Sequence, residues 1–341
     1  MSVTIKDLAR ILNVSHTTVS RALNNSPLIS EKTKKKIQDM AKELNYVPNY
    51  NAKSLVQNRS YNIGLFFSTI SQATSPHFFY ETVRGINSII SEKYNLVVEG
   101  IDNYNDFTTI DTKRFDGIIL MSQSENDNPF IYHVLEKGIP LVVLNREIAD
   151  PSIVNILSAD KKGAYEGVIH LIRNGHQNIA LIEGKKGFHA TVERKEGFFA
   201  ALIEKAIPIR KEYIVQGDYT IESGYYAMKK LLEVKPAPTA IFCSNDEMAV
   251  GAMKAIFEVG LKIPDDISIV GFDDSPFSPF TTPSLTSVRR SISEVSKEGA
   301  KKLLSIIQGT DMHKGKIYIK PELIIRDSVK NNNFSTSERQ V

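Results

Sequence analysis

The chain has 341 residues, of which 42% are hydrophobic and 24% charged, as is typical of a soluble globular protein with room for two domains and a small additional module. Residues 1–60 hold ten Lys or Arg and four Asp or Glu, whereas the remaining residues hold 32 and 35, so the positive charge is concentrated at the front. A basic front module is expected to face a polyanion such as DNA. Cys243 is the only cysteine, which excludes an intrachain disulfide and a cysteine-rich metal site.

The sequence has no apolar run close to the roughly 20 residues that span a bilayer. The opening segment MSVTIKDLAR is polar and charged and lacks the apolar core of a signal peptide. We therefore expect a cytoplasmic protein with no membrane partner.

The first 46 residues predict three short helices. Thr4 followed by Asp7 is typical of a capping box at a helix start, and Asn13 can adopt the left-handed conformation that ends such a helix. Ser15 can cap the second helix, and a third helix follows it. A helix, a tight turn and a second helix are the arrangement that places the second helix in the major groove of DNA.

The second helix lies within VSHTTVSRALN at residues 14–24 and combines an apolar face with a polar one. His16 and Thr17 can reach base edges, and the forked guanidinium of Arg21 suits O6 and N7 of guanine. The hydroxyl groups suited to phosphate oxygens are those of Ser15, Thr18 and Ser20. The alternative is a solvated helical domain with no partner, and the local positive charge favours DNA over that alternative.

Residues 47–60, VPNYNAKSLVQNRS, predict a linker because they are polar around one apolar pair that begins at Leu55. An isolated apolar side chain can be an ordinary packing contact. The alternative is a wedge between base steps of the minor groove, with Asn51 and Lys53 close to the DNA backbone. Such a segment would be helical on DNA.

From Tyr61 onward, near-continuous apolar strands alternate with amphipathic helices, as in buried parallel sheets. The strands are predicted at 62–67, 95–100, 115–120, 140–145, 178–184, 239–245 and 267–274. Two such sets, divided near residue 160, predict two doubly wound halves with a cleft between them. The polar residues 331–341 predict a disordered tail.

The segment VTIKDLARILNVSHTTVSRALNNSPLISEKTKKKIQDMAKELNYVPNYNAKSLVQ resembles the headpiece and hinge of the lactose/galactose repressor (LacI/GalR) family, most specifically in TVSRALN, YVPN and AKSL. The resemblance continues to about residue 328 through SADKKGAYEGVIHLIRNGH, ERKEGF, SNDEMAVGAMKAI, ISIVGFDD and TSVRRS. It implies that His16, Thr17 and Arg21 read bases and that Leu55 is the intercalating hinge leucine. The residues that it implies as phosphate contacts are Thr4, Ser15, Ser20 and Asn24.

The resemblance implies an all-α helix-turn-helix headpiece and an α/β core of two doubly wound parallel-sheet subdomains, like that of periplasmic sugar-binding proteins. In this family the chain crosses between the subdomains three times, here near residues 160, 290 and 320. The expected divisions are the headpiece at 1–46, the hinge at 47–60, and the core at 61–330, with an N-subdomain at 61–160 and 290–320 and a C-subdomain at 161–289 and 321–330.

Several candidate ligand-binding residues stand at strand ends, where ligands bind in open α/β sheets. Asp273 and Asn245 each follow a strand, and Arg194 opens the ERKEGF segment. Such groups can bond sugar hydroxyls, and an aromatic ring can lie beneath the apolar face of a sugar. The aromatic candidates are Phe78, Phe79 and Tyr219. Taken singly, each residue could instead be a loop-capping group or a core aromatic.

These features predict a sequence-specific DNA-binding transcriptional regulator, a repressor of a sugar-utilisation operon that binds a pseudo-palindromic operator as a homodimer. Its effector is predicted to be a small sugar, and an oligosaccharide such as an α-galactoside is one candidate. One alternative is a nucleobase or nucleoside corepressor, and another is a sugar-binding protein without a DNA role. The sequence lacks a Walker loop, a GxGxxG after a strand, a serine nucleophile elbow and metal-ligand spacing, so we expect neither an enzyme nor a cofactor or metal.

Overall fold

The structure is a computed structural model that describes residues 3–23, 25–44, 46, 59–70, 74–310 and 315–333. The chain divides into two compact units, Met1–Tyr61 and Asn62–Val341. We call the first unit the headpiece and the second unit the core.

The headpiece contains three helices, α1 (Ile5–Leu12), α2 (His16–Leu23) and α3 (Glu31–Glu43), as the capping signals predict. Each helix contributes apolar side chains to one small core. Its buried members are Leu8, Ala9, Val19, Ala22, Ile37 and Ala41.

The first sheet of the core is formed by six strands. They are β1 (Asn62–Phe67), β2 (Asn95–Gly100), β3 (Gly117–Met121), β4 (Leu141–Leu144), β5 (Val154–Ser158) and β11 (Gly315–Ile319). Their order is β11-β5-β4-β3-β1-β2, and all neighbours are parallel. Helices α4 (Pro76–Ile90) and α10 (Ile292–Gln308) pack on one face, and α5 (Asn128–Glu136) packs on the other.

The second sheet also has six strands. They are β6 (Ile179–Glu183), β7 (Ile214–Gln216), β8 (Ala240–Cys243), β9 (Ser268–Asp273), β10 (Thr286–Arg289) and β12 (Glu322–Ile324), in the order β12-β10-β9-β8-β6-β7. Helices α8 (Ile221–Glu233) and α9 (Asp246–Glu258) cover one face. Helices α6 (Asp160–Arg173) and α7 (His189–Glu204) cover the other.

The chain passes between the two sheets at three places. It leaves the first sheet between β5 and α6, returns between β10 and α10, and leaves again between β11 and β12. The first and third crossings lie side by side, because Ala159 N donates to Ile319 O at 3.1 Å. We call the part around the first sheet the N-subdomain and the part around the second sheet the C-subdomain.

The predicted fold class is confirmed by the three headpiece helices and the two sheets. Two details differ from the predictions. First, β12 runs antiparallel to β10, so the second sheet is not wholly parallel. Second, residues 331–333 were predicted as disordered, yet Asn332 N donates to Asn174 O at 2.9 Å, and Asn333 Nδ2 donates to Arg173 O. These contacts tie residues 331–333 to the end of α6, so the prediction is wrong for them.

Candidate functional site

The first helix of the headpiece begins with the predicted capping box. The Thr4 hydroxyl accepts from Asp7 N at 3.3 Å, and Asp7 Oδ2 accepts from Thr4 N at 2.9 Å. Asp7 Oδ2 also accepts from the Thr4 hydroxyl at 2.6 Å, and the hydrogen bonds that Thr4 donates through its hydroxyl and its backbone N–H lower the pKa of the Asp7 carboxyl. Asn13 has φ of 52° and ends α1 in the left-handed conformation. Helix α1 is therefore capped at both of its ends.

The second helix places the predicted base-reading side chains on its outer face. Ser15 Oγ accepts from Thr18 N at 3.0 Å and caps the start of α2. Val19 and Ala22 are fully buried on the opposite face. Because these anchors face inward, the exposed side chains of α2 include His16, Thr17 and Arg21.

The predicted phosphate contacts differ from one another in their exposure to solvent. Thr4 and Ser15 are exposed, whereas Thr18 and Ser20 are half-buried. The hydroxyl groups of Ser15 and Thr18 also lie 2.8 Å apart and share a hydrogen bond. The predicted residues Asn24, Asn51, Lys53 and Leu55 lie outside the described residues.

A small cavity of about 50 Å³ lies between the two subdomains, at the carboxyl ends of strands from both sheets. Five of the six predicted ligand-binding residues line it, and Phe79 does not. The lining residues are Ser75, Phe78, Gln123, Asn145, Phe188, Ala190, Arg194, Tyr219, Asn245, Asp273 and Arg290. We call this space the cleft cavity.

The guanidinium of Arg194 is the central buried charge of the cleft cavity. Its Nε and Nη2 atoms donate to Asp160 Oδ2 at 3.0 and 2.8 Å, and its Nη1 donates to Ser244 O. Its Nη2 lies 3.6 Å from Asp273 Oδ1. Burial alone would lower the pKa of Arg194, but the charges of Asp160 and Asp273 raise it, so the guanidinium stays charged.

Asp160 links Arg194 to a second guanidinium, that of Arg290 on the second crossing. Asp160 Oδ1 lies 3.3 Å from Arg290 Nε. Burial would raise the pKa of Asp160, but Arg290 and Arg194 together lower it. Arg290 Nη2 also donates to Asn145 Oδ1 in the N-subdomain. Arg290 therefore connects the wall of the N-subdomain with the charges of the C-subdomain.

Asp273 is the carboxylate that presents an acceptor to the cleft cavity, because its Oδ1 is ion-paired with Arg194 at 3.6 Å but accepts no hydrogen bond from the described atoms. It ends β9 with φ of 106°, and among the described atoms its buried Oδ1 has no hydrogen-bond partner. Burial raises the pKa of its carboxyl, against the lowering effect of Arg194 and Arg290. A buried acceptor without a donor is costly unless a ligand supplies one.

Asn245 and Tyr219 hold each other in the cavity wall. Asn245 Nδ2 donates to Tyr219 O at 2.9 Å, and its Oδ1 accepts from Met248 N at 2.9 Å at the start of α9. The Tyr219 hydroxyl shares a hydrogen bond of 2.7 Å with Thr191, and its ring stacks on Phe188 at 6.1 Å. Both side chains are thus engaged within the protein, and they offer mainly a ring surface to a ligand.

The N-subdomain wall contains residues that the sequence analysis missed. Gln123 and Asn145 follow β3 and β4, and the buried Oε1 of Gln123 has no partner among the described atoms. Asp127 fixes this wall, because its Oδ2 accepts from Ser122 Oγ at 2.6 Å and from Gln123 N at 3.1 Å. The strand ends were visible in the sequence, but the pairing of their side chains across the cleft was not.

Phe78 and Phe79 lie on different sides of α4. Phe78 lines the cleft cavity, and its ring lies 5.4 Å from the guanidinium of Arg290, within the range of a cation–π contact. Phe79 packs on Phe67 with ring centroids 5.2 Å apart. Phe79 therefore belongs to the core packing of the N-subdomain, which is the alternative that the sequence left open.

Three residues of the cavity wall other than glycine adopt positive φ values, namely Asn145 at 73°, Tyr219 at 76° and Asp273 at 106°. Such conformations are uncommon for residues with side chains and concentrate at functional sites. The backbone geometry thus points to the same cavity as the unpartnered acceptors do.

The described residues contain no group of three or more His, Cys, Asp or Glu side chains that could hold a metal ion. None of the helices in the described part of the chain is long and apolar enough to cross a membrane.

A helix-turn-helix headpiece on a two-sheet core with a cavity at the strand ends defines the class of DNA-binding transcriptional regulators. Residues 4–49 match the bacterial regulatory proteins of the lacI family, and residues 168–329 match the periplasmic binding protein-like domain. The chain therefore belongs to the lacI family, since it is also 56% identical over 328 residues to the probable HTH-type transcriptional repressor ExuR of Bacillus subtilis (strain 168), with 96% of this chain and 98% of that protein covered.

Two solved structures share the whole architecture. The lac repressor dimer bound to operator and the anti-inducer ONPF matches with a TM-score of 0.82 and 28% identity, covering 97% of this chain and 100% of that one. The complex of the transcriptional regulator CelR with cellobiose matches with a TM-score of 0.73 and 27% identity, covering 96% and 99%. The resemblance to the LacI/GalR family is confirmed, and the chain is a transcriptional repressor rather than an enzyme.

Proposed function

We propose that the chain binds a pseudo-palindromic operator as a homodimer in the cytoplasm and represses genes of sugar utilisation, with a small sugar in the cleft cavity controlling its operator affinity. The observation that carries the proposal is the cleft cavity, which is lined by residues of both subdomains. A ligand there can shift the equilibrium between two arrangements of the subdomains through its different affinity for each.

The DNA-reading surface in this proposal is the exposed face of α2. His16 and Thr17 would contact base edges, and Arg21 would pair with a guanine. The proposed phosphate contacts are Thr4, Ser15, Thr18, Ser20 and Asn24. The concentration of Lys and Arg in residues 1–60 supports a polyanionic partner.

In the hinge, Leu55 is proposed as a wedge in the minor groove, beside Asn51 and Lys53. A wedge contributes only where the DNA bends, so Leu55→Ala should weaken binding to the operator far more than binding to unrelated DNA. Val56→Ala is the matched control and should change both affinities little. Equal losses on both DNAs for Leu55→Ala would contradict the hinge assignment.

The ligand class follows from the groups that the cleft cavity leaves unsatisfied. Gln123 Oε1 and Asp273 Oδ1 are both acceptors, so they require hydroxyl or amine donors. The rings of Phe78 and Phe188 provide flat apolar surface next to these acceptors. Several hydroxyl donors on a ring with apolar faces describe a sugar.

The size of the cleft cavity supports a single sugar ring. A volume of about 50 Å³ accommodates about four waters, so it favours one small ring over a longer saccharide. An oligosaccharide such as an α-galactoside would extend beyond it. A larger cavity of about 720 Å³ shares Asn145 and Ala190 with the cleft cavity and would take the additional units.

The proposal is tested by a thermal-shift screen with D-glucose, D-galactose, cellobiose and the α-galactoside melibiose, and with guanine as the nucleobase alternative. A ligand at 100 times its dissociation constant should stabilise the chain by about 2.7 kcal/mol. Asp273→Ala should reduce the shift but leave binding measurable, whereas Asp265→Ala, which removes an exposed carboxylate of the same subdomain, should retain the full shift. A shift with guanine alone would replace the sugar by a nucleobase.

A further inference from the structure

The turn after β9 carries the cavity carboxylate Asp273 in an unusual backbone conformation. Asp273 and the next residue, Asp274, have φ values of 106° and 52°. Two consecutive positive values are rare for residues with side chains and persist only where neighbouring groups hold them. The direction of the Asp273 side chain therefore depends on whatever fixes this turn.

Asp246 fixes the turn from outside the cleft cavity. It is fully buried at the start of α9, directly after Asn245. Its Oδ2 accepts from Ser275 N at 2.6 Å, and its Oδ1 accepts from Ser287 Oγ at 2.6 Å. Ser287 Oγ in turn accepts from Asp274 N at 3.1 Å. Asp246 is thus connected to both amides that follow Asp273. It bonds the amide of Ser275 directly and the amide of Asp274 through Ser287 Oγ.

A third hydrogen bond to Asp246, from Ser278, does not connect Asp246 to the amides of the turn. Ser278 Oγ donates to Asp246 Oδ2 at 2.8 Å, but its backbone N–H bonds to Ser275 O. Ser278 therefore touches the same carboxylate without bonding the amides of Asp274 or Ser275. It provides a matched control.

The buried position of the Asp246 carboxylate is expected to destabilise the folded state. No ion pair of the described residues includes Asp246, and Gly271 must lack a side chain because a Cβ there would collide with Asp246 Oδ1. Burial and the nearby charge of Asp273 raise the pKa of Asp246 to about 7, although its three hydrogen bonds oppose that rise. A buried carboxylate without a cation usually destabilises the folded state.

We propose that Asp246 is a positioning residue for ligand binding, because it holds the 273–275 turn so that Asp273 Oδ1 faces the cleft cavity as an acceptor. The inference rests on the proposed function, since the direction of Asp273 matters for binding only if the cleft cavity takes a sugar. Asp246 itself does not line the cavity.

The test measures the dissociation constant, by calorimetry at constant pH, of whichever of D-glucose, D-galactose, cellobiose and melibiose binds tightest. Asp246→Asn keeps the shape but removes the anion, and it should weaken binding about tenfold. Ser287→Ala cuts one route to the turn and should weaken binding about threefold, and it serves as the second variant should Asp246→Asn fail to fold. Ser278→Ala should change the dissociation constant less than about twofold.

A double-mutant cycle separates positioning from general damage to the fold. In an Asp273→Ala background, Asp246→Asn should cause no further loss of affinity, because the group that it positions is already absent. A second loss of about tenfold in that background would overturn the inference. Equal losses for Asp246→Asn and Ser278→Ala would overturn it as well.

Hydrogen exchange of the free chain tests the same inference without a sugar. The amides of Asp274 and Ser275 should exchange faster in Asp246→Asn than in Ser278→Ala, while amides of β1 exchange at equal rates. Unchanged exchange at the turn refutes the role of Asp246. If Asp273→Ala leaves sugar binding intact while the turn amides exchange faster in Asp246→Asn, the proposed function fails and the role of Asp246 in holding the turn stands.

Discussion

The headpiece and the core hold their functional side chains in opposite ways. On α2, His16, Thr17 and Arg21 are exposed, and buried apolar residues such as Val19 anchor the helix from behind. In the cleft cavity, the side chain of Arg194 is fully buried and bonded to other charged groups. Substitutions on the reading face should therefore alter binding alone, whereas substitutions of the buried charged groups of the cavity should alter binding and stability together.

The largest effect is expected for Asp160→Asn. This substitution leaves Arg194 and Arg290 buried without the carboxylate that lies between them. Loss of one partner from a buried ion pair should lower the free energy of unfolding by about 3 kcal/mol. Urea unfolding followed by tyrosine fluorescence measures the loss, since the chain contains no tryptophan.

Glu196→Gln is the control for Asp160→Asn. It removes a carboxylate of an ion pair with Lys161, in which both side chains are about half exposed. The unfolding free energy should change by less than about 0.5 kcal/mol, because exposed ion pairs contribute little. A loss for Asp160→Asn no larger than that of the control would contradict the view that buried charges hold the cavity together.

The next largest effect is expected for Arg21→Ala. It should reduce discrimination at one base pair by about 1–3 kcal/mol, because a guanidinium that pairs with guanine is lost. The unfolding free energy should change by less than about 0.5 kcal/mol, since the side chain is exposed. Fluorescence anisotropy with an operator and its single-base variants measures the discrimination.

Arg10→Ala is the matched change on α1, where the Arg10 side chain is exposed and pairs with Asp7. It should lower the affinity for all DNA sequences equally or leave it unchanged. A uniform loss for Arg21→Ala as well would assign Arg21 to phosphate contact rather than base reading.

The sequence predicts the features of the fold that depend on neighbouring residues in the chain. Helix caps are local signals, and Thr4, Asp7 and Asn13 form the predicted start and end of α1. Strands with continuous apolar runs were also located from the sequence. Short or half-exposed strands such as β7 and β11 were not, because their pairing depends on distant strands.

The predicted residues of the cleft cavity lie mainly on its C-subdomain wall, and Phe78 alone represents the N-subdomain wall. Asp273 stands at a strand end that the sequence shows, and Arg194 lies inside α7, which begins at His189 rather than at the ERKEGF segment; both residues line the cavity. Gln123 and Asn145 were missed because neutral amides give no charge signal. Arg290 was missed because its contacts with Asn145 and Asp160 join segments far apart in the chain.

A smaller effect is expected for Gln123→Ala. Its Oε1 has no partner among the described atoms, so its loss should leave the unfolding free energy almost unchanged. Sugar affinity should fall by about 1 kcal/mol, because one hydrogen bond to the ligand is lost. Calorimetry with the tightest-binding sugar of the thermal-shift screen measures the change.

Gln123→Ala tests whether the two walls of the cavity differ in how strongly they stabilise the fold. A large loss of stability would show that the N-subdomain wall is as interlocked as the C-subdomain wall. Asn105→Ala, which alters an exposed amide of the same subdomain that lines neither cavity, is the control and should change neither quantity.

The smallest effect concerns Glu247, next to Asp246 on α9. Burial and the charge of Asp273 raise the pKa of the Glu247 carboxyl to about 7. Because this pKa is higher in the folded chain than in the unfolded one, the stabilisation is complete below about pH 4.5 and is lost as the pH rises through about 7. Since Glu247 is only partly buried, solvent screening limits the loss to about 1 kcal/mol.

Glu247→Gln removes the titrating group, so the melting temperature of this variant should fall less than that of the natural chain between about pH 5 and pH 8. Glu222→Gln, which alters an exposed carboxylate at the start of α8, should leave the pH dependence unchanged. An identical pH profile for Glu247→Gln and the natural chain would show that Glu247 does not contribute to the pH dependence. The loss of stability between these pH values would then be assigned to Asp246, whose pKa is also raised to about 7 by burial and by the charge of Asp273.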